Sequence, residues 1–292
     1  MKVALQTYSV RRDMSKDVPG TLENVSKLGY KSFEVSNHDE GKPYHGENDG
    51  IGFGVGPKEI KELMERLGTT IMGVHLFPFP FDDLDEILAY HKILGTKYIA
   101  IPNAFFNGMD DIKSMISKLN KVGEKCKKEG FELVYHNHFH EFQKWQGKTI
   151  LDHLMDETDS DAVGLELDTV WAYMAGENIV EVMQKYNTRI KLIHQKDFNK
   201  YLVGKHNLLA RFKDDKDYIS LHRMIECITD IGRNCFVEIG TGVIDIQAII
   251  NAGNEYCQSE YIILEQDYTE HKDLESVRIS MDHLKKYTGI EW

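Results

Sequence analysis

The sequence predicts an α/β fold, a (β/α)8 barrel with an enlarged loop after the seventh strand. Eight short apolar runs recur along the 292 residues, segments with helical periodicity separate them, and seven of the eight runs finish in a chemically capable residue. Eight strands each followed by a helix are what such a barrel requires, and its reactive groups gather where the strands end.

The runs are residues 2–6, 31–35, 71–75, 97–101, 131–136, 162–167, 190–194 and 261–265. Each is rich in Val, Ile, Leu or aromatic residues, as strands buried on both faces are. Between them, Ile60, Leu63, Met64 and Leu67 fall on one helical face, and Ile112, Met115, Ile116 and Leu119 repeat the pattern. Gly68, Gly95 and Gly130 follow such segments where a helix-terminating glycine is expected. The last interval is too long for one crossover. Residues 199–243 read as the enlarged loop, with a helix of its own near 217–231, and 273–287 read as the eighth helix. A doubly wound sheet would announce a Gly-rich turn after its first strand. Thr-Tyr-Ser-Val-Arg stands there instead. No linker interrupts the rhythm, so residues 1–292 are expected to form a single domain carrying an insertion at about 199–243.

Composition narrows the partners. With 35 Lys+Arg against 47 Asp+Glu, the net charge is −12, which argues against nucleic acid as a ligand. No apolar run reaches the length of a spanning helix. The first residues enter a strand-like run without a signal-peptide pattern, and four cysteines stand without CxxC spacing. The expectation is a reduced cytoplasmic protein with no membrane partner. Exposed barrel helices are compatible with a homo-oligomer.

The strands end in Gln6, Glu34, His75, His136 with His138, Asp168, His194 and Glu265, and Asn103 follows the fourth. Singly, each has an ordinary role; Asp168 before Thr-Val-Trp-Ala reads as a helix cap. Independent caps, however, have no reason to converge on one end of one barrel. Asp168, His194 and Glu265, with a fourth ligand from the fifth-strand motif, make a mixed imidazole and carboxylate shell for one divalent metal. Oxygen ligation favours Mn²⁺ or Mg²⁺, with Co²⁺ and Zn²⁺ also suited. A metal of this kind polarises a carbonyl or hydroxyl oxygen, and a nearby carboxylate or imidazole carries the proton from the adjacent carbon.

At these residues the sequence resembles the sugar phosphate isomerase/epimerase-like proteins of the xylose isomerase-like TIM-barrel superfamily. LQTYSVR at 5–11, YHNHFHEF at 135–142, LELDTVWAYMAGEN at 165–178, IHQKDF at 193–198, GTGVID at 240–245 and LEQDYTEHKDLESVRIS at 264–280 carry the resemblance. It implies one metal held by residues ending strands five to eight, which match at Asp168, His194 and Glu265. At strand five the epimerases place a glutamate where this chain has His136. The expected fourth ligand is Glu141, folding back from the next loop, with His136 the alternative. The resemblance also implies that the epimerases shuttle a proton between two glutamates, so histidine here weighs against that scheme.

The remaining roles follow. His138 is expected as an acid/base or substrate contact, with His136, Glu265 and Lys196 in the catalytic set. Lys196 stands to stabilise an enolate or to pair with Asp197. Gln6, Glu34, His75 and Trp171 are expected to contact substrate, and His140 to be structural or exposed.

The leading expectation is a metal-dependent sugar isomerase or epimerase acting by proton abstraction next to a carbonyl. The alternative is a lyase or hydrolase that eliminates a β-substituent from a keto-sugar, 3-keto-glycoside or inosose. In both, the partner is a small carbohydrate or keto-sugar. A DNA-repair endonuclease would need three metals and a cationic groove, and a sugar-binding module would need no metal.

Overall fold

Each apolar run forms a strand in a computed structural model that describes residues 1–36, 55–77, 79 and 83–292. The strands are β1 (Lys2–Gln6), β2 (Ser32–Ser36), β3 (Thr70–His75), β4 (Tyr98–Ile101), β5 (Glu132–His136), β6 (Val163–Asp168), β7 (Ile190–Gln195) and β8 (Tyr261–Leu264). They pair in parallel in the order β1-β8-β7-β6-β5-β4-β3-β2 and close into a barrel. Lys2 opposite Tyr261 through Leu5 opposite Leu264 makes the closing seam.

Side chains alternate along a strand, so every second residue enters the barrel. Ala4, Met72, Tyr98, Ala100, Val134, Leu192 and Ile263 fill the interior as one apolar layer. Two residues further on, the inward positions turn polar. Ala4 is followed by Gln6, Val134 by His136, Leu192 by His194 and Ile263 by Glu265, all buried. The polar layer therefore rests on a packed floor at the carboxyl end of the strands.

Helices cover the outside. Val18–Leu28, Pro57–Leu67, Leu84–Leu94 and Met109–Glu129 follow the first four strands, and Ile150–Glu157 follows β5. Gly68, Gly95 and Gly130 cap three of them at φ +62°, +80° and +91°, where a side chain would strain the backbone. Thr149 and Asp152 form a reciprocal capping box on the helix after β5. The final helix, Asp273–Leu284, ends three residues before the expected 287.

After β7, Asp197–Phe198 pairs antiparallel with Phe236–Val237. Between these short strands lie three 3-10 turns and the helix Leu221–Ile231. That helix starts four residues later than the expected 217, because Ser220 is its cap, accepting from the Arg223 N–H at 3.3 Å. The helix Ile246–Tyr256 then returns the chain to β8. Among the described residues, no helix is long and apolar enough to cross a membrane.

Candidate active site

The strand ends bring two buried quartets together at the barrel mouth. His136, Asp168, His194 and Glu265 form the outer one, and His75, His136, Glu166 and His194 the inner one; within each, the ligand atoms lie within 4.8 Å of one another. The two histidines belong to both because each points one ring nitrogen each way. His136 Nδ1 lies 3.0 Å from Glu166 Oε2, and its Nε2 lies 3.9 Å from Asp168 Oδ2. His194 Nε2 lies 2.6 Å from Glu34 Oε2, and its Nδ1 lies 3.1 Å from Glu265 Oε2.

A carboxylate can only accept, so the inner contacts draw N–H from His136 Nδ1 and His194 Nε2. Burial holds the His136 imidazole well below its usual range, so its Nε2 lone pair faces Asp168. At His194 burial is outweighed by Glu166 and Glu34, which hold the ring well above that range, and Nδ1 gives a proton to Glu265. A divalent cation set between these rings and the two carboxylates would take the place of that proton. Two imidazoles and two carboxylates, with the inner ring nitrogens held by Glu166 and Glu34, fit a divalent metal.

The inner layer is tightly bonded. His75 Nε2 lies 3.0 Å from Glu34 Oε2 and 2.8 Å from Glu166 Oε2. Burial alone would depress the His75 imidazole, but these two carboxylates outweigh it and raise the group to about 10. Burial pushes the Glu166 carboxyl up and Glu34 adds repulsion, yet His194, His75 and His136 hold it down at about 2. Glu34 Oε1 and Glu166 Oε1 are buried without a hydrogen-bond partner.

Lys196 enters the outer quartet. Its Nζ lies 2.5 Å from both Asp168 Oδ2 and Glu265 Oε2, and 3.4 Å from Asp267 Oδ2. Burial disfavours the ammonium, but these three carboxylates keep it charged far above the usual lysine range. The alternative pairing with Asp197 does not form. The Asp197 carboxylate instead accepts the backbone N–H groups of Phe198, Gly240, Gly242 and Ile244 and fixes the GTGVID turn.

Asp168 combines both roles read from the sequence. Its Oδ1 caps the helix Thr169–Met174 by accepting from the Trp171 N–H at 2.9 Å, while Oδ2 faces Lys196.

Above the quartets lies a cavity of about 320 Å³. His75, His136, His138, Trp171, Glu265 and Asp267 are among the residues that line it. Because β5 ends at His136, strand alternation no longer separates the next histidine. The rings of His136 and His138 lie 5.2 Å apart on the same side, and His138 Nδ1 is buried without a partner. His140 is buried, its Nε2 2.7 Å from the Ala104 carbonyl.

Three expectations need correction. Gln6 and Glu34 are fully buried and do not line the cavity; Gln6 Nε2 donates to Glu34 Oε2 at 2.9 Å. Both are inward residues with no surface exposed to the cavity. Glu141 stands outside both quartets. Its oxygens accept from Tyr135 Oη at 2.8 Å and the His138 N–H at 2.9 Å, bracing the turn after β5. His136, the alternative, is a member of both quartets. The residue overlooked was Glu166. It sits within the apolar run of β6, two residues before Asp168, and that spacing alone places both on the inner face.

Residues 22–287 match the profile of the family described as xylose isomerase-like TIM barrel. The chain belongs to that family. It is also similar to an inosose dehydratase of Clostridium perfringens, 28% identical over 263 residues, covering 80% of this chain and 83% of the relative. The xylose isomerase-like barrel is similar as well to the crystal structure of a sugar phosphate isomerase/epimerase from Parabacteroides distasonis. The TM-score is 0.73 at 23% identity, covering 99% of this chain and 95% of that one. A third likeness is to the IOLI protein, solved with a zinc atom, with TM-score 0.66 at 17% identity over 98% of this chain and 99% of that one.

Proposed function

We propose that this barrel is a metal-dependent lyase that eliminates a β-substituent from a cyclic keto-polyol or keto-sugar. The observation that carries the reading is His136 in the position where a two-glutamate epimerase needs its second carboxylate. The outer quartet then offers Glu265 and Asp168, and Asp168 is tied to a helix cap and to Lys196. A symmetric pair of carboxylates that could return a proton to the opposite face is missing from this set. The similarity to inosose dehydratase over 80% of the chain supports the same conclusion, so elimination replaces isomerisation as the leading reading.

His136, Asp168, His194 and Glu265 would hold one divalent ion, which when bound supplies Lewis acidity to a carbonyl or hydroxyl oxygen. Two nitrogens and two oxygens suit Mn²⁺, Co²⁺ or Zn²⁺ better than Mg²⁺, and Mn²⁺ remains our assignment. His138, in the cavity with Nδ1 unpartnered, takes the proton from the carbon beside the carbonyl. The C–H electron pair becomes the new C=C bond, the β C–O bond breaks, and the departing oxygen takes up a proton. Lys196 and Asp267 lie beside this path, the ammonium available to negative charge on oxygen. Trp171, in ring contact with His138 at 5.1 Å, walls the base from bulk water. The whole chain acts as one domain in this reading.

Mass spectrometry of an inosose incubated with the Mn²⁺-loaded protein tests the proposal. A product lighter by one water, absent with Asp168→Asn, is expected. An isomer of unchanged mass would return the assignment to isomerisation.

A further inference from the structure

The cavity has an apolar side that none of the barrel strands supplies. Leu221, Met224, Ile225 and Ile228 follow the i, i+3, i+4, i+7 spacing of one helical stripe, and all four line the cavity. Met224 and Ile228 are buried, while Leu221 and Ile225 are each 43% exposed. Large apolar side chains left in water at the mouth of a ligand cavity mark a surface that binding covers. A free inosose carries oxygen on every ring carbon and has little to offer four aliphatic side chains. Trp171 borders the same space, and its indole N–H is buried with no partner. An apolar wall beside a spare donor suits a flat group attached through oxygen.

We propose that the Leu221–Ile231 helix selects substrates bearing an aromatic substituent, joined through oxygen to the keto-sugar ring and expelled as the leaving group. This rests on the elimination reading above. The balance needs no oxidant. The proton leaves the carbon between the carbonyl and the substituted carbon, its electron pair forms the C=C bond, the C–O bond to the substituent breaks, and the departing oxygen is protonated to a phenol.

Two measurements test it on the Mn²⁺-loaded protein. Calorimetric titration with phenyl and methyl β-glucopyranoside compares binding without turnover. The phenyl glycoside is expected to bind on the order of tenfold more tightly, from the apolar area covered. The Leu221→Ser/Ile225→Ser double variant, altered at two half-exposed side chains, should bring the phenyl-to-methyl ratio near one. Release of phenol from the 3-keto phenyl glucoside then reports the leaving group. Equal affinities in the unaltered protein, or a preference that survives the double variant, overturn the inference. So does a dimer in sedimentation that the double variant abolishes, since a second copy would then cover the helix. Dehydration of inosose without aryl preference overturns only this inference. A retained binding preference with no elimination from any keto substrate overturns the elimination reading, and with it the aromatic leaving group.

Discussion

His194 donates from Nε2 to Glu34 Oε2 at 2.6 Å, linking β7 to β2 inside the barrel. This bond turns the other nitrogen, Nδ1, toward Glu265. Carboxylates behind metal-binding imidazoles fix the ring and raise its basicity. Glu34→Gln, which can present an amide donor in place of an acceptor, is expected to weaken Mn²⁺ binding by about 10–100-fold. Competition with a chelator measures it, and unaltered far-ultraviolet circular dichroism shows that the barrel remains. Equal affinity would mean that Glu34 does not act through His194.

His136 and Glu141 separate cleanly. His136→Ala removes a member of the outer quartet and should abolish stoichiometric metal binding. Glu141→Gln should keep it, because both oxygens of Glu141 are engaged with Tyr135 and the His138 N–H. The same change replaces a charged acceptor by a neutral one at two buried bonds and should lower stability by about 1–3 kcal/mol in urea denaturation. The reverse pattern of metal binding would restore Glu141 as a ligand.

Asp152 makes stability depend on pH. Burial pushes its carboxyl up, but bonds from Lys185, Tyr186 and Thr149 together hold it below the ordinary value. A carboxyl depressed in the fold stabilises above its unfolded value, and that contribution disappears as pH falls through the folded value. Asp152→Asn should therefore be less stable at pH 7 by about 1 kcal/mol, the usual scale of a lost cap. The deficit should shrink as pH is lowered from 5 toward 3. A deficit independent of pH would assign the effect to packing.

Gly123 lies where the helix Met109–Glu129 crosses the start of β6. A Cβ there would stand 2.5 Å from the Ala162 carbonyl oxygen, backbone that has no rotamer by which to yield. Although alanine is the better helix former, Gly123→Ala is expected to destabilise by about 1–3 kcal/mol. A raised thermal midpoint would contradict the close approach.

The barrel was legible because strands buried on both faces read as continuous apolar runs, and no strand boundary differs from the expectation by more than one residue. Asp168, His194 and Glu265 were legible because each follows such a run. Glu166 escaped attention because it sits inside one, where only its two-residue spacing from Asp168 gives it away. Glu141 was preferred to His136 on donor type, whereas position along β5 decides which of them meets the quartet. Gln6 ends β1 as expected and Glu34 lies two residues inside the end of β2; both point into the barrel without reaching the cavity, which linear order does not encode. A helix near 217–231 is expected from the length of the interval after the seventh strand. That its apolar stripe faces the cavity follows only from the way the Asp197–Phe198 and Phe236–Val237 pair folds the loop back.

The proposed reaction is an elimination and not an isomerisation. Proton NMR in D2O, with Mn²⁺-loaded protein and an inosose, tests it most directly. Loss of the β-hydroxyl as water with appearance of an unsaturated ketone is the expected result. Recovery of the full carbon–oxygen framework, with deuterium on the carbon beside the carbonyl and no water lost, would contradict it.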